Sequence, residues 1–370
     1  MSEIRIIISG GGTGGHIFPA LSIAQSLKKI VPEAKFLFVG AEGRMEMQRV
    51  PAAGFEIKGL PVAGLQRSLS IENLKLPFKV IRSVQMARRI LREFKPDVAV
   101  GVGGYASAPL LWAASHMGIP TLIQEQNSFA GLTNRILGKR ARKICVAYEG
   151  MERFFPADRI LLTGNPVRSN IARPTEEQRE EGYAHFGLEK GRKTILVTGG
   201  SLGSATLNRS VRQWAAQSAD WSDCQVLWQC GKTYFAKLSS AEEVTGGRPN
   251  VHLLPFIDRM DLAFAVADVI ISRAGAGTIS ELCIVGKPVI FVPSPNVTED
   301  HQTHNARALS DRDAALMVSD DQAPERVMAM AEELLSDETR CAAMSAAILP
   351  LARPDAGEVI AREVLKLVKQ

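Results

Sequence analysis

The sequence predicts an α/β protein of two domains, each a parallel sheet doubly wound with helices on both faces. Strand-length apolar runs alternate with helical periodicity along the whole chain. A glycine-rich turn follows a strand near the start of each half, and 370 residues are enough for about two separate cores.

In the first half, strands are expected at Arg5–Ser9, Lys35–Val39, Val98–Val102, Thr121–Gln124, Lys143–Ala147 and Ile160–Thr163. In the second they are expected at Thr194–Thr198, Val226–Gln229, Val251–Leu253, Val269–Ser272, Val289–Val292 and Ala315–Val318. Helical patterns fill most gaps, among them Ile17–Ile30 and the stretch ending near Gln217. The pattern breaks at Gly164–Glu176, around Asn165-Pro166 and Arg173-Pro174, which marks the domain boundary. A second break at Leu349–Asp355 precedes a final amphipathic helix, Ala356–Val368.

The two glycine turns are Gly10-Gly11-Gly12-Thr13-Gly14-Gly15-His16 and Gly199-Gly200-Ser201-Leu202-Gly203-Ser204. Strand, glycine turn and helix together cradle phosphate, because backbone N–H groups and the positive helix end face one point. One such unit per half suggests a cleft between two similar domains, with a nucleotide-linked substrate on one side. Gly10-x-Gly12-x-x-Gly15 also matches the dinucleotide fingerprint, which needs an acidic residue closing the second strand. That strand ends in Phe38-Val39-Gly40, so a nicotinamide or flavin enzyme ranks second.

His16 sits at the start of a helix, where the positive helix end disfavours its protonated form and leaves an acceptor for a hydroxyl proton. A capping or packing role is the competing reading. A third loop, Arg273 to Glu281, contains Thr278-x-x-Glu281, which spacing alone reads as a capping box. Its alternative role places Glu281 at the rim of the cleft, accepting hydrogen bonds from a ribose diol. Gly103-Gly104-Tyr105 follows another strand, and Gln124-Glu125-Gln126-Asn127 closes the next. Asn127 and Asn134 then reach sugar hydroxyls or satisfy loop backbone.

Composition excludes several classes. Five cysteines without a CxxC pair point to reduced thiols rather than a disulfide framework or zinc site. No apolar run approaches the roughly 20 residues of a membrane-spanning helix, and the first residues lead directly into a strand. The expectation is a cytoplasmic protein that does not cross a membrane. The net charge of +5 is uneven: residues 1–168 carry 23 basic and 12 acidic side chains, leaving the remainder at −6. Much of the positive charge lies in Leu74–Arg92, where Lys75, Lys79, Arg82, Arg88, Arg89 and Arg92 alternate with apolar residues. Such a helix can lie on an anionic membrane surface, although a helix docked on its own sheet is the simpler reading. No motif supports nucleic-acid binding. Asp311-Arg312-Asp313 looks like a DxD metal motif but follows a helical stretch, so it reads as a solvated face.

The set Gly11-Gly12-Thr13-Gly14-Gly15-His16-x-x-Pro19-Ala20, Gly103-Gly104-Tyr105, Glu125-Gln126-Asn127-x-x-Ala130-Gly131-x-x-Asn134, Gly164-Asn165-Pro166-Val167-Arg168 and Gly199-Gly200-Ser201-x-Gly203 resembles one family. Phe256-Ile257-Asp258-x-Met260, the Glu281 loop and Gln302-x-x-Asn305-Ala306 extend the likeness over nearly the whole chain. The family is the bacterial MurG transferases, which add N-acetylglucosamine to undecaprenyl-diphospho-N-acetylmuramoyl-pentapeptide. The resemblance implies the GT-B fold of glycosyltransferase family 28. It implies an acceptor and membrane-associating domain over 1–165, a donor domain over 166–350, and a helix over 351–370 returning to the first domain.

The resemblance also assigns roles. UDP-N-acetylglucosamine is held by Arg168, the Ile257 backbone, Glu281 at the ribose, and Ser201 with Ala276-Gly277-Thr278 at the diphosphate. Asn127 and Gln302 contact the transferred sugar, and Thr13, Gly14 and Gly15 face donor sugar and acceptor diphosphate. Tyr105 and Asn134 lie on the acceptor side, and His16 is the base. No cofactor or metal is implied. Leu74–Arg92 matches the family's membrane-association region, which places the protein peripherally on the cytoplasmic face of the inner membrane. His301-Gln302 stands where many members carry Gln-Gln. A UDP-sugar 2-epimerase, a related lipid glycosyltransferase and a non-catalytic nucleotide-sugar scaffold remain as alternatives.

Overall fold

The computed structural model describes residues 3–62, 76–168, 170–217, 224–237, 245 and 247–368. Leu74 and Lys75 of the basic segment lie outside them. Two compact units divide the chain: Met1–Val167 with Arg353–Gln370, and Arg168–Ala352.

The first unit is built on β1 (Arg5–Ser9), β2 (Lys35–Ala41), β3 (Glu56–Leu60), β4 (Val98–Gly101), β5 (Thr121–Glu125), β6 (Lys143–Val146) and β7 (Ile160–Leu162). Its sheet runs β3-β2-β1-β4-β5-β6-β7 with every pair parallel. A parallel strand covered on both faces is apolar throughout. Ile6 and Ile8 of β1 accordingly pack into one layer and Ile7 into the other. The helices are α1 (Gly14–Ile30), α2 (Glu46–Ala52), α3 (Leu76–Phe94), α4 (Ser107–His116) and α5 (Leu132–Gly138). Helix α3 docks through Ser83, Ala87, Ile90 and Leu91, and leaves Val80, Ile81 and Arg82 exposed.

The second unit has β8 (Lys193–Thr198), β9 (Cys224–Gln229), β10 (Val251–Leu254), β11 (Val269–Ser272), β12 (Val289–Phe291) and β13 (Leu316–Met317). They form a parallel sheet ordered β10-β9-β8-β11-β12-β13. Around it lie α6 (Glu176–Phe186), α7 (Ala205–Gln217), α8 (Lys232–Phe235), α9 (Met260–Val266), α10 (Ala276–Val285), α11 (His301–Ser310), α12 (Ala323–Ser336) and α13 (Glu338–Ile348). The final helix, α14 (Ala356–Val368), returns to the first unit and buries Ile360, Ala361, Val364 and Leu367 in the layer that holds Ile17, Ile23 and Leu27 of α1.

The twelve expected strands form, with ends shifted by at most two residues. Strand β3 is additional. It lies at the sheet edge, and Glu56, Lys58 and Gly59 interrupt its apolar signal. Helix α1 begins at Gly14 rather than Ile17, because the chain is extended only up to Thr13.

Strand order fixes where ligands bind. In each sheet the direction of winding reverses beside the first strand, between β1 and β4 and between β8 and β11. The crevice beyond the strand ends at such a reversal is the usual ligand site of open α/β sheets. The turns that leave β1 and β4 are Gly10–Thr13 and Gly103–Tyr105; those that leave β8 and β11 are Gly199–Ser204 and Arg273–Gly275.

Candidate active site

At the first reversal point Thr13 is extended (φ −144°, ψ 159°) and occupies the N-cap of α1 without capping it. Its hydroxyl instead pairs with His16 Nδ1 at 3.0 Å. The first turn, containing Gly14 and Gly15, therefore has no side-chain cap beneath its N–H groups. Below the imidazole lies Gly103 with φ +91°, where a Cβ would sit 2.8 Å from His16 Cδ2 and 2.9 Å from Nε2. Gly104 (φ +86°) approaches the other turn so closely that a Cβ would lie 2.2 Å from Gly11 O. Only glycine meets both the positive φ and the contact. Tyr105, 50% exposed, lies against Gly12.

Beneath this surface Glu125 is buried at the end of β5. It accepts from Asn127 N (3.0 Å), Asn127 Nδ2 (3.3 Å), Gly131 N (3.2 Å) and Asn134 Nδ2 (2.9 Å). Burial pushes its carboxyl above the ordinary carboxylate range, against those four donors. Asn134 is only 3% exposed and also donates to Gln124 O, so it braces the loop from within. Thr13, Gly14, Gly15, His16 and Tyr105 gather at one place; Asn127 and Asn134 join through Glu125.

In the second unit, Arg168 Nε and Nη2 donate to Glu281 Oε1 and Oε2 at 2.7 and 2.8 Å. This two-pronged pair raises the Arg168 guanidinium pKa above its ordinary value. The capping-box expectation for Thr278 and Glu281 fails. Helix α10 starts at Ala276 with Gly275 as its N-cap and no side-chain cap, so Thr278 is already inside the first turn. The Glu281 carboxylate turns to Arg168 instead. The first turn of Ala276, Gly277 and Thr278 keeps a positive end, and a Cβ on Gly277 would meet nothing within 4 Å.

Ser201 is exposed on the turn after β8, which Gln229 Nε2 holds through Gly200 O at 2.7 Å. Arg273 ties that turn to the neighbouring ones. Its guanidinium donates to Ser204 Oγ (2.6 Å), Val292 O (2.9 Å), Pro293 O (3.1 Å) and Asp320 Oδ1 (2.5 Å). Asp320 in turn accepts from Thr206 Oγ1 at 2.9 Å. Ile257 is buried on the loop after β10, with 2% of the residue exposed. Gln302 opens α11 and accepts from Ser294 N at 2.9 Å. Just before it, Glu299 (φ 56°) and Asp300 (φ 48°) both occupy the left-handed region, a strained entry to the helix. Asp311 ends α11 and Asp311-Arg312-Asp313 is exposed, as a solvated face requires.

Residues 6–146 match the glycosyltransferase family 28 N-terminal domain and residues 194–359 its C-terminal domain. The chain is 53% identical over 368 residues to a UDP-N-acetylglucosamine--N-acetylmuramyl-(pentapeptide) pyrophosphoryl-undecaprenol N-acetylglucosamine transferase of Parabacteroides distasonis, covering 100% of this chain and 99% of that one. A transferase of the same name from Phocaeicola vulgatus is 55% identical over 99% of this chain and 96% of its own. The crystal structure of Acinetobacter baumannii MurG superposes with a TM-score of 0.78 at 29% identity, covering 98% and 99% of the two chains. The chain belongs to the MurG family. A UDP-GlcNAc 2-epimerase from Neisseria meningitidis shares with this MurG-family chain only the fold, at 15% identity and a TM-score of 0.67.

Reading the sequence did not single out Arg273 or Asp320 as site residues. Each acts through loop backbone or another side chain, and neither carries a local motif. The one available signal was the position of Arg273 at the end of a strand beside a glycine turn.

Proposed function

We propose that this chain is an inverting glycosyltransferase that moves N-acetylglucosamine from UDP-N-acetylglucosamine to the 4-hydroxyl of an undecaprenyl-diphospho-linked N-acetylmuramoyl-pentapeptide. The observation that carries the reading is identity above 50% along the full chain to transferases named for that reaction. The acceptor hydroxyl attacks the anomeric carbon from the face opposite UDP, which converts an α-linked donor into a β-1,4 product.

His16 is the base. With Nδ1–H donating to Thr13 Oγ1, its Nε2 carries the lone pair that takes the hydroxyl proton. Tyr105 lines the acceptor side, and Asn134 supports it through the Glu125 loop. Gly14 and Gly15 present the open first turn of α1, with Thr13, to donor sugar and acceptor diphosphate. In the second unit, Glu281 takes the ribose diol while Arg168 holds its carboxylate in line. The Ile257 main chain meets the uracil, and Asn127 and Gln302 meet the transferred sugar. The charge that grows on the leaving UDP faces Ser201 and the Ala276-Gly277-Thr278 turn, a preorganised set of donors and one helix end. Those groups suffice in place of a divalent ion.

Among the described residues, no helix is long and apolar enough to cross a membrane. Binding to the cytoplasmic face of the inner membrane falls to the first unit, where α3 exposes Val80 and Ile81 beside Arg82.

The test is transfer of radiolabelled N-acetylglucosamine to a synthetic lipid-linked muramoyl-pentapeptide, with and without a chelator. Labelled disaccharide-lipid in both conditions is the expected result. Absence of product with UDP-N-acetylglucosamine still bound sinks the transferase reading; product lost only with chelator sinks the account of the leaving group. The His16→Ala variant is expected to lose about 10²- to 10⁴-fold in kcat while its affinity for UDP stays unchanged.

A further inference from the structure

The carboxylate of Glu46, at the start of α2, is completely buried, with 0% of the residue exposed. It accepts from Gly12 N through both oxygens (3.2 and 3.1 Å) and from Ala41 N (3.0 Å). It thus joins the turn after β1 to the end of β2. The space it fills has been cleared on two sides. A Cβ on Gly11 would lie 2.2 Å from Glu46 Oε1, and one on Gly40 would lie 2.5 Å from its Cγ. In a dinucleotide-binding turn the backbone N–H groups point at a pyrophosphate. Here the N–H of Gly12 is directed inward to the protein's own anion.

From this arrangement we infer that Glu46 is a positioning residue for the His16 base, an assignment that rests on the function proposed above. Two short routes lead from it to the imidazole. Gly12 is bonded in the chain to Thr13, whose hydroxyl holds His16 Nδ1. Gly11 O seats Gly104, and the adjacent Gly103 supports the ring at Cδ2 and Nε2. Tyr105 borders the same turn, its Cδ2 lying 3.8 Å from where a Cβ on Gly12 would be. A carboxylate that fixes Gly11 and Gly12 therefore fixes both the partner of the base and the floor under it. Displacement of a reacting group by about 1 Å can cost about 100-fold in rate, so Glu46 acts on turnover without touching substrate.

The test combines kinetics with a direct observation of the ring, on the full-length enzyme. Glu46→Gln keeps the side-chain shape but places an amide where Gly12 N–H now finds two acceptors. Gly40→Ala leaves Glu46 intact and pushes it from the opposite side. Both variants are expected to lower kcat about 10- to 100-fold while the KM for UDP-N-acetylglucosamine stays within about twofold. In both, the His16 imidazole nitrogen resonances are expected to shift, a change that a purely structural role for Glu46 in the sheet would not produce. Unchanged kcat in both variants, or a raised donor KM at unchanged kcat, overturns the inference. A wild-type enzyme that transfers no sugar overturns the functional reading instead, and the His16 resonances then decide the positioning role alone.

Discussion

At the scale of single residues, the site is made of side chains that hold other side chains. The Arg168–Glu281 pair is the clearest case. Arginine presents a planar fork that matches a carboxylate at two points, which lysine cannot do. Arg168→Lys should free Glu281 to rotate and raise the KM for UDP-N-acetylglucosamine about tenfold, with a smaller change in kcat. Steady-state kinetics decide it, and an unchanged KM counts against a ribose role for Glu281. The sequence revealed the residues of this site that carry motifs, such as His16 and the glycines around it. It misled at Thr278 and Glu281, because a spacing that suits a capping box also places the third helical residue one turn from a carboxylate bound elsewhere. Glu46 was illegible for a different reason. Its partners are backbone N–H groups of Gly12 and Ala41, which any sequence supplies.

At the scale of elements, the pattern of apolar runs was sufficient for every central strand and for the edge strands β7, β10 and β13, and insufficient for the edge strand β3. Ile6-Ile7-Ile8 is buried on both faces and so announces itself; β3 has one neighbour and a half-exposed Glu-Ile-Lys-Gly-Leu sequence. The end of α9 shows how one element is finished by another. Lys287, just before β12, donates to Ala265 O at 2.6 Å and to Ala267 O, so it closes the last turn of α9. Burial pushes its ammonium down to about 8, against about 10.4 in an unfolded chain. Between those values the unfolded chain holds a proton that the folded one has released. Stability contributed by this group therefore rises with pH across that window, by at most about 3 kcal/mol. Chemical denaturation from pH 8 to 10.5 should show the rise in the wild type and lack that component in Lys287→Met. Helix α14 gives a packing test. Ile360→Ala removes a fully buried side chain and should cost about 2–5 kcal/mol, visible as a lowered Tm, while the affinity for UDP in the second unit persists.

At the scale of the whole molecule, charge is divided unevenly along the chain. The first 168 residues are strongly basic and the rest acidic, so an anionic partner is drawn to the first of them. Arg82 stands beside the exposed Val80 and Ile81 on α3, and each basic residue near an anionic surface contributes about 1 kcal/mol. Arg82→Glu should therefore weaken sedimentation with anionic vesicles about tenfold or more, and salt should weaken the wild type in the same direction. Vesicle binding indifferent to both changes would remove α3 from the membrane surface. The return of the chain at Arg353 has a consequence of another kind. Gly164 (φ +81°) packs so tightly on it that a Cβ would lie 2.4 Å from Arg353 Cβ, so the chain departs from the first unit and re-enters it at one spot. Residues 168–352 are therefore an insert with adjoining ends, placed within a unit whose core is completed by α14. The second unit is thus a cassette whose exchange between relatives would cut through neither sheet.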